Sequence, residues 1–76
     1  MTMGEPRKTN VEALLGQKGI VLQEVAPLKY GRVKVGGEDW AAVPAGEFTI
    51  PVGTVVVVKG YQGVKLIVAE VERQDG

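Results

Sequence analysis

The chain is 76 residues long, with nine basic and nine acidic side chains, no cysteine and no histidine. One small domain follows, burying roughly 60% of its unfolded surface around a modest core. Disulfides, cysteine-based metal sites and histidine chemistry are excluded, serine is absent as well, and the balanced charge argues against a nucleic-acid or anionic-membrane binder.

Met1 to Asn10 is polar and carries Gly4 and Pro6, so it reads as a flexible leader. It has no apolar run like that of a signal peptide, and no stretch of the chain nears the ~20 apolar residues of a membrane-spanning helix. Thr9 or Asn10 is placed to cap a short helical turn over Val11 to Leu15, ended by Gly16. Leu14 and Leu15 are expected to close one end of the core. The expected division is a leader with this turn over 1–14, a β domain over 15–71 and a polar tail over 72–76.

The first strand is expected over Gln17 to Val25. Its apolar triplet Ile20-Val21-Leu22 suggests a strand partly covered on both faces, and Gly19 suggests a bend or bulge. Ala26-Pro27 ends it. The second strand, Tyr30 to Val35, turns Val33 and Val35 one way and Arg32 and Lys34 the other. Gly36-Gly37 then suits a tight hairpin, because glycine reaches positive φ without steric penalty. The third strand, Asp39 to Val43, puts Trp40 and Ala42 on one face. Phe48 and Ile50 sit in a Pro/Gly-rich loop and are expected to plug an open end of the core.

Thr54 to Lys59 is the fourth strand and contains four consecutive valines. Gly60-Tyr61-Gln62-Gly63 reads as the turn into a fifth strand, Val64 to Val71, with Leu66 and Val68 on one face and Lys65, Ile67 and Ala69 on the other. Five strands with regular turn signals and no room for a crossover helix indicate a small antiparallel barrel or sandwich. A barrel is favoured, since closure removes exposed edges. Residues 1–35 hold six basic and three acidic side chains and residues 36–76 the reverse, as expected of a mixed surface on which the halves lie side by side.

Several segments resemble the soluble C-terminal domain of the NfeD family. They are Leu15-Gly16-Gln17-Lys18-Gly19, Pro27, Gly31-Arg32-Val33-Lys34-Val35, Gly37-Glu38-Asp39-Trp40-Ala41-Ala42-Val43, Gly46-Glu47-Phe48, Gly53-Thr54, Gly60 and Gly63-Val64-Lys65-Leu66-Ile67-Val68. The Gly-Glu-x-Trp-x-Ala segment is the most specific of these. The resemblance implies an all-β, five-stranded OB-fold-like antiparallel Greek-key barrel. It also implies a soluble module of a membrane-anchored parent protein that acts with a stomatin- or flotillin-like partner. Long members of that family add a serine-protease domain whose motif is absent here, so the resemblance implies no enzymatic activity for this chain.

No catalytic, cofactor-binding or metal-binding constellation emerges from the residues. Glu38 and Asp39 are adjacent on a strand, so they point to opposite faces and cannot converge on one substrate. The glycines lie at strand-to-strand turns and form neither a P-loop nor a dinucleotide fingerprint. Two surfaces remain. The resemblance puts Val56 and Val58 inside and turns Val55 and Val57 outward, where Ile67 extends an apolar strip suited to a protein partner. The plainer alternative is that the barrel's own loops cover that strip. The second surface is Tyr30, Arg32 and Lys34, the kind of aromatic and basic grouping with which OB folds bind single-stranded nucleic acid.

Overall fold

The computed structural model describes residues 11–71. The expected leader with its capping residue, and the polar tail, lie outside the described residues. Five strands form the fold: β1 (Lys18–Gln23), β2 (Gly31–Val35), β3 (Glu38–Pro44), β4 (Val55–Gln62) and β5 (Lys65–Glu70). They close into a barrel in the order β1-β2-β3-β5-β4. Four of the five ladders are antiparallel, and the β3–β5 ladder is parallel. This is the five-stranded OB-type Greek-key barrel.

The β2–β3 hairpin forms where the glycine pair predicts it. Gly36 and Gly37 have φ of 60° and 83°, the two positive angles that a two-residue hairpin turn demands. Alternation along β2 is clean: Val33 and Val35 are buried, and Arg32 and Lys34 are exposed. The core is aliphatic and is drawn from every strand, with Val21, Val33, Val35, Ala42, Val56, Val58, Leu66 and Val68 as its strand members. Val25 and Ile50 complete it through a two-residue bridge. Val25 N–H donates to Ile50 O at 3.0 Å and Ile50 N–H to Val25 O at 2.8 Å.

The two ends of the barrel differ. At one end a 3-10 turn over Val11–Leu14 packs Val11 and Leu14 against the core. This turn is tied to β4, where Gly16 N–H donates to Val58 O and the Tyr61 hydroxyl donates to a Glu12 carboxylate oxygen at 3.1 Å. The other end carries the β1–β2 and β3–β4 connections and the outgoing end of β5.

Five local expectations need correction. In the Ile20-Val21-Leu22 triplet only Val21 is buried, while Ile20 and Leu22 are each 40% exposed. The β1 bulge falls between Val21 and Gln23, not at Gly19. Gly19 serves another purpose: a β-carbon there would lie 2.6 Å from a Val35 methyl, where β1 crosses β2 closely. β4 runs on through Tyr61 and Gln62, with an irregularity between Val58 and Gly60, so its hairpin turns at Gly63-Val64, three residues beyond the start of the expected turn. Finally, Leu15 and Phe48 do not close the core; they are 44% and 83% exposed. Ile50 alone is bridged into its end of the barrel, because residues 45–48 are bends with no ladder to aim Phe48 inward.

Candidate functional site

The apolar strip follows from strand pairing. On β4, Val56 and Val58 face the core, so alternation turns Val55 and Val57 outward. Val55 is 47% exposed, while Val57 and Ile67 are half-buried. The ladders set Ile20 directly opposite Val55 and set Ala69 opposite Val57. Outward apolar side chains therefore run continuously from β1 across β4 to β5. Ile20 is the member that sequence reasoning missed. Its neighbour Val55 lies 35 positions away in the chain, and no local pattern encodes the β1–β4 pairing.

The basic and aromatic grouping is also outward. Tyr30 precedes β2 and is exposed, with Arg32 and Lys34 following at two-residue steps on the same face. Each is already engaged or countered by a neighbour. Lys65 Nζ sits 4.6 Å from the Tyr30 ring centroid, so one face of that ring holds a cation–π contact. Arg32 Nε lies 3.9 Å from Asp39 Oδ2, and Lys34 stands opposite Asp39 in the ladder. The two halves of the charge distribution thus meet across the β2–β3 hairpin. Trp40 lies against the core, so the grouping offers one exposed ring for base stacking.

The acidic pair at the hairpin behaves as alternation predicts, with Asp39 turned to Arg32. Among the described residues no three potential metal ligands converge, and no helix is long and apolar enough to cross a membrane. The Tyr61 hydroxyl is pushed up from 10.0, first by its hydrogen bond to Glu12, then by the charge of that carboxylate and by partial desolvation.

Fold and surface together define a small OB-type barrel whose outer wall presents apolar side chains, the architecture of a binding domain. The family model for the NfeD-like C-terminal, partner-binding domain matches residues 11–70, and the chain belongs to that family. Solved structures agree. The C-terminal domain of stomatin operon partner protein 1510-C from Pyrococcus horikoshii is 34% identical with a TM-score of 0.76, over 82% of this chain and 94% of that one. A soluble domain from Corynebacterium glutamicum, of a membrane protein implicated in regulation of membrane protease activity, is 32% identical with a TM-score of 0.73, over 79% and 97%. The soluble domain of the NfeD protein YuaF from Bacillus subtilis is 27% identical with a TM-score of 0.72, over 82% and 79%. No protein of curated function matches the sequence.

Proposed function

We propose that this barrel is a non-catalytic assembly module of a membrane-anchored NfeD-type protein. It binds a stomatin- or flotillin-like partner through the outer face formed by Val55, Val57 and Ile67, widened by Ile20. The observation that carries the reading is the continuity of that face across three strands, from Ile20 through Val55 and Val57 to Ala69. Contiguous exposed apolar surface on a small soluble domain marks a place where another molecule sits. The description of one similar structure as a stomatin operon partner supports the partner class. The soluble domains of membrane proteins among the similar structures support a membrane-anchored parent. No cofactor enters the reading.

The test is a calorimetric titration of the chain with a purified stomatin-like protein, repeated with Ile20→Asp and Val55→Asp. Both positions are at least 40% exposed, so both variants should fold. A charge buried in the centre of the contact should weaken binding about tenfold or more. Wild-type binding that neither variant weakens would move the contact elsewhere on the barrel. No binding by the wild type would remove the stomatin-like partner.

A further inference from the structure

At the end of the barrel away from the 3-10 turn, β5 outruns its neighbour. The β3–β5 ladder ends at the pair Pro44 and Val68, while β5 continues to Glu70. Ala45 N–H still donates to Val68 O at 2.7 Å, which shows that the main-chain groups of Val68 point to the β3 side. Residues two apart on a strand direct their N–H and C=O to the same edge. Those of Glu70 therefore face the same side, while Val71 N–H, one residue on, donates the other way to Val55 O. β3 has no residue paired with Glu70, because the chain bends away over residues 45–48.

A notch opens at that spot. Its lining includes Pro44, Phe48, Ile50, Val68, Ala69 and Glu70, and its volume is about 140 Å³. That is space for about four or five waters, or for one aliphatic side chain. Phe48 stands 83% exposed beside it. The charge around the notch is acidic: this end of the barrel carries Glu24, Glu47 and Glu70 against a single lysine, Lys29, over residues 24–30, 45–54 and 70–71.

We propose that the notch binds an extended segment of a partner protein, with an aliphatic residue flanked by lysine or arginine. The aliphatic side chain fills the notch under Phe48. The segment's main chain pairs with the N–H and C=O of Glu70, which meet no partner on the β3 side among the described residues, adding a short strand at the edge that β3 vacates. The flanking cations meet Glu70 and Glu47, which sets the charge preference. This site adjoins the apolar face at Ala69 but uses neither Ile20, Val55 nor Val57, so it is tested independently of that face and of the stomatin-like partner.

The probe is a labelled seven-residue peptide of alternating lysine and leucine. It is titrated against the full 76-residue chain by fluorescence anisotropy, with amide chemical shifts followed in parallel. Two control peptides replace lysine by glutamate or N-methylate the backbone. Saturable binding is expected, with shifts centred on Ala69, Glu70 and Phe48, and it should be abolished by N-methylation. Glu70→Lys should weaken the cationic peptide about threefold or more and improve the anionic one, and Phe48→Ala should weaken both. Both side chains are exposed, so these variants test the surface without disturbing the core. Val55→Asp should leave the peptide bound. No binding, binding indifferent to N-methylation, or shifts centred on Val55 and Ile67 would each overturn the proposal.

Discussion

Gly31 tests the packing argument most sharply, because two physical effects predict opposite signs for its replacement. Gly31 has no positive φ, so on conformational grounds alanine is acceptable there. If backbone entropy decided, Gly31→Ala would stabilise the barrel by about 0.4–1 kcal/mol through the unfolded chain. The structure says otherwise. A β-carbon at Gly31 would press on the carbonyl oxygens of Glu24 and Gln23 and lie 2.6 Å from the Glu24 carbonyl carbon. These are backbone atoms on the far side of the β1 bulge, and they cannot swing aside as a side chain can. Overpacking of this kind costs about 1–3 kcal/mol, and rigid backbone places the site at the upper end. The net expectation is a loss of about 2 kcal/mol or more. In a domain of this size that lowers Tm by roughly 8–16 °C. Gly60→Ala is the internal control. Its β-carbon would sit 3.7 Å from an Ile67 methyl, an ordinary contact, and should leave stability unchanged or slightly raised. Urea unfolding followed by the single tryptophan, Trp40, reads both variants. A Gly31→Ala protein as stable as the parent would refute the close crossing of β1 and β2.

Leu66→Ala removes a fully buried side chain near the start of β5 and should cost about 2–5 kcal/mol, enough to unfold much of a domain this small at 37 °C; near-native thermal unfolding would count against the core described above. Tyr61 should ionise above the ordinary tyrosine range in an ultraviolet titration, and Glu12→Gln should bring it back down. Because the folded state raises this pKa, the Tyr61–Glu12 tie is in place below pH 10 and is lost as pH rises through the folded pKa. An unchanged Tyr61 titration in Glu12→Gln would remove that tie between the 3-10 turn and β4.

Local signals read well from the sequence. Gly36-Gly37 marked its hairpin because only glycine suits two successive positive φ angles. The valines of β2 mark their buried face through alternation, whereas the four consecutive valines of β4 have no alternation and their buried pair comes from the family resemblance. Non-local pairing was less legible. The Ile20-Val21-Leu22 triplet reads as a strand partly covered on both faces, and the place of Ile20 in the outer strip depends on which strand lies beside β1, a pairing that joins segments 35 residues apart. The Gly60-to-Gly63 segment looked like a turn by composition, but pairing with β5 kept Gly60, Tyr61 and Gln62 extended and moved the turn to Gly63-Val64. Phe48 carried the signal of a core plug, and the bent backbone before Ile50 left it in solvent. The notch had no signature at all, since it arises where β3 stops short of β5.

The 3-10 turn meets the barrel at one end, and β5 leaves it at the other. A load applied between residues 11 and 71 would therefore run along the strand direction, drawing β1 and β5 in opposite senses past β4, which lies between them. Such a force acts on the flanking ladders in shear, so their hydrogen bonds share the strain together and do not unzip one at a time. Held between a tether on one side and a bound partner on the other, the domain would behave as a stiff mechanical link.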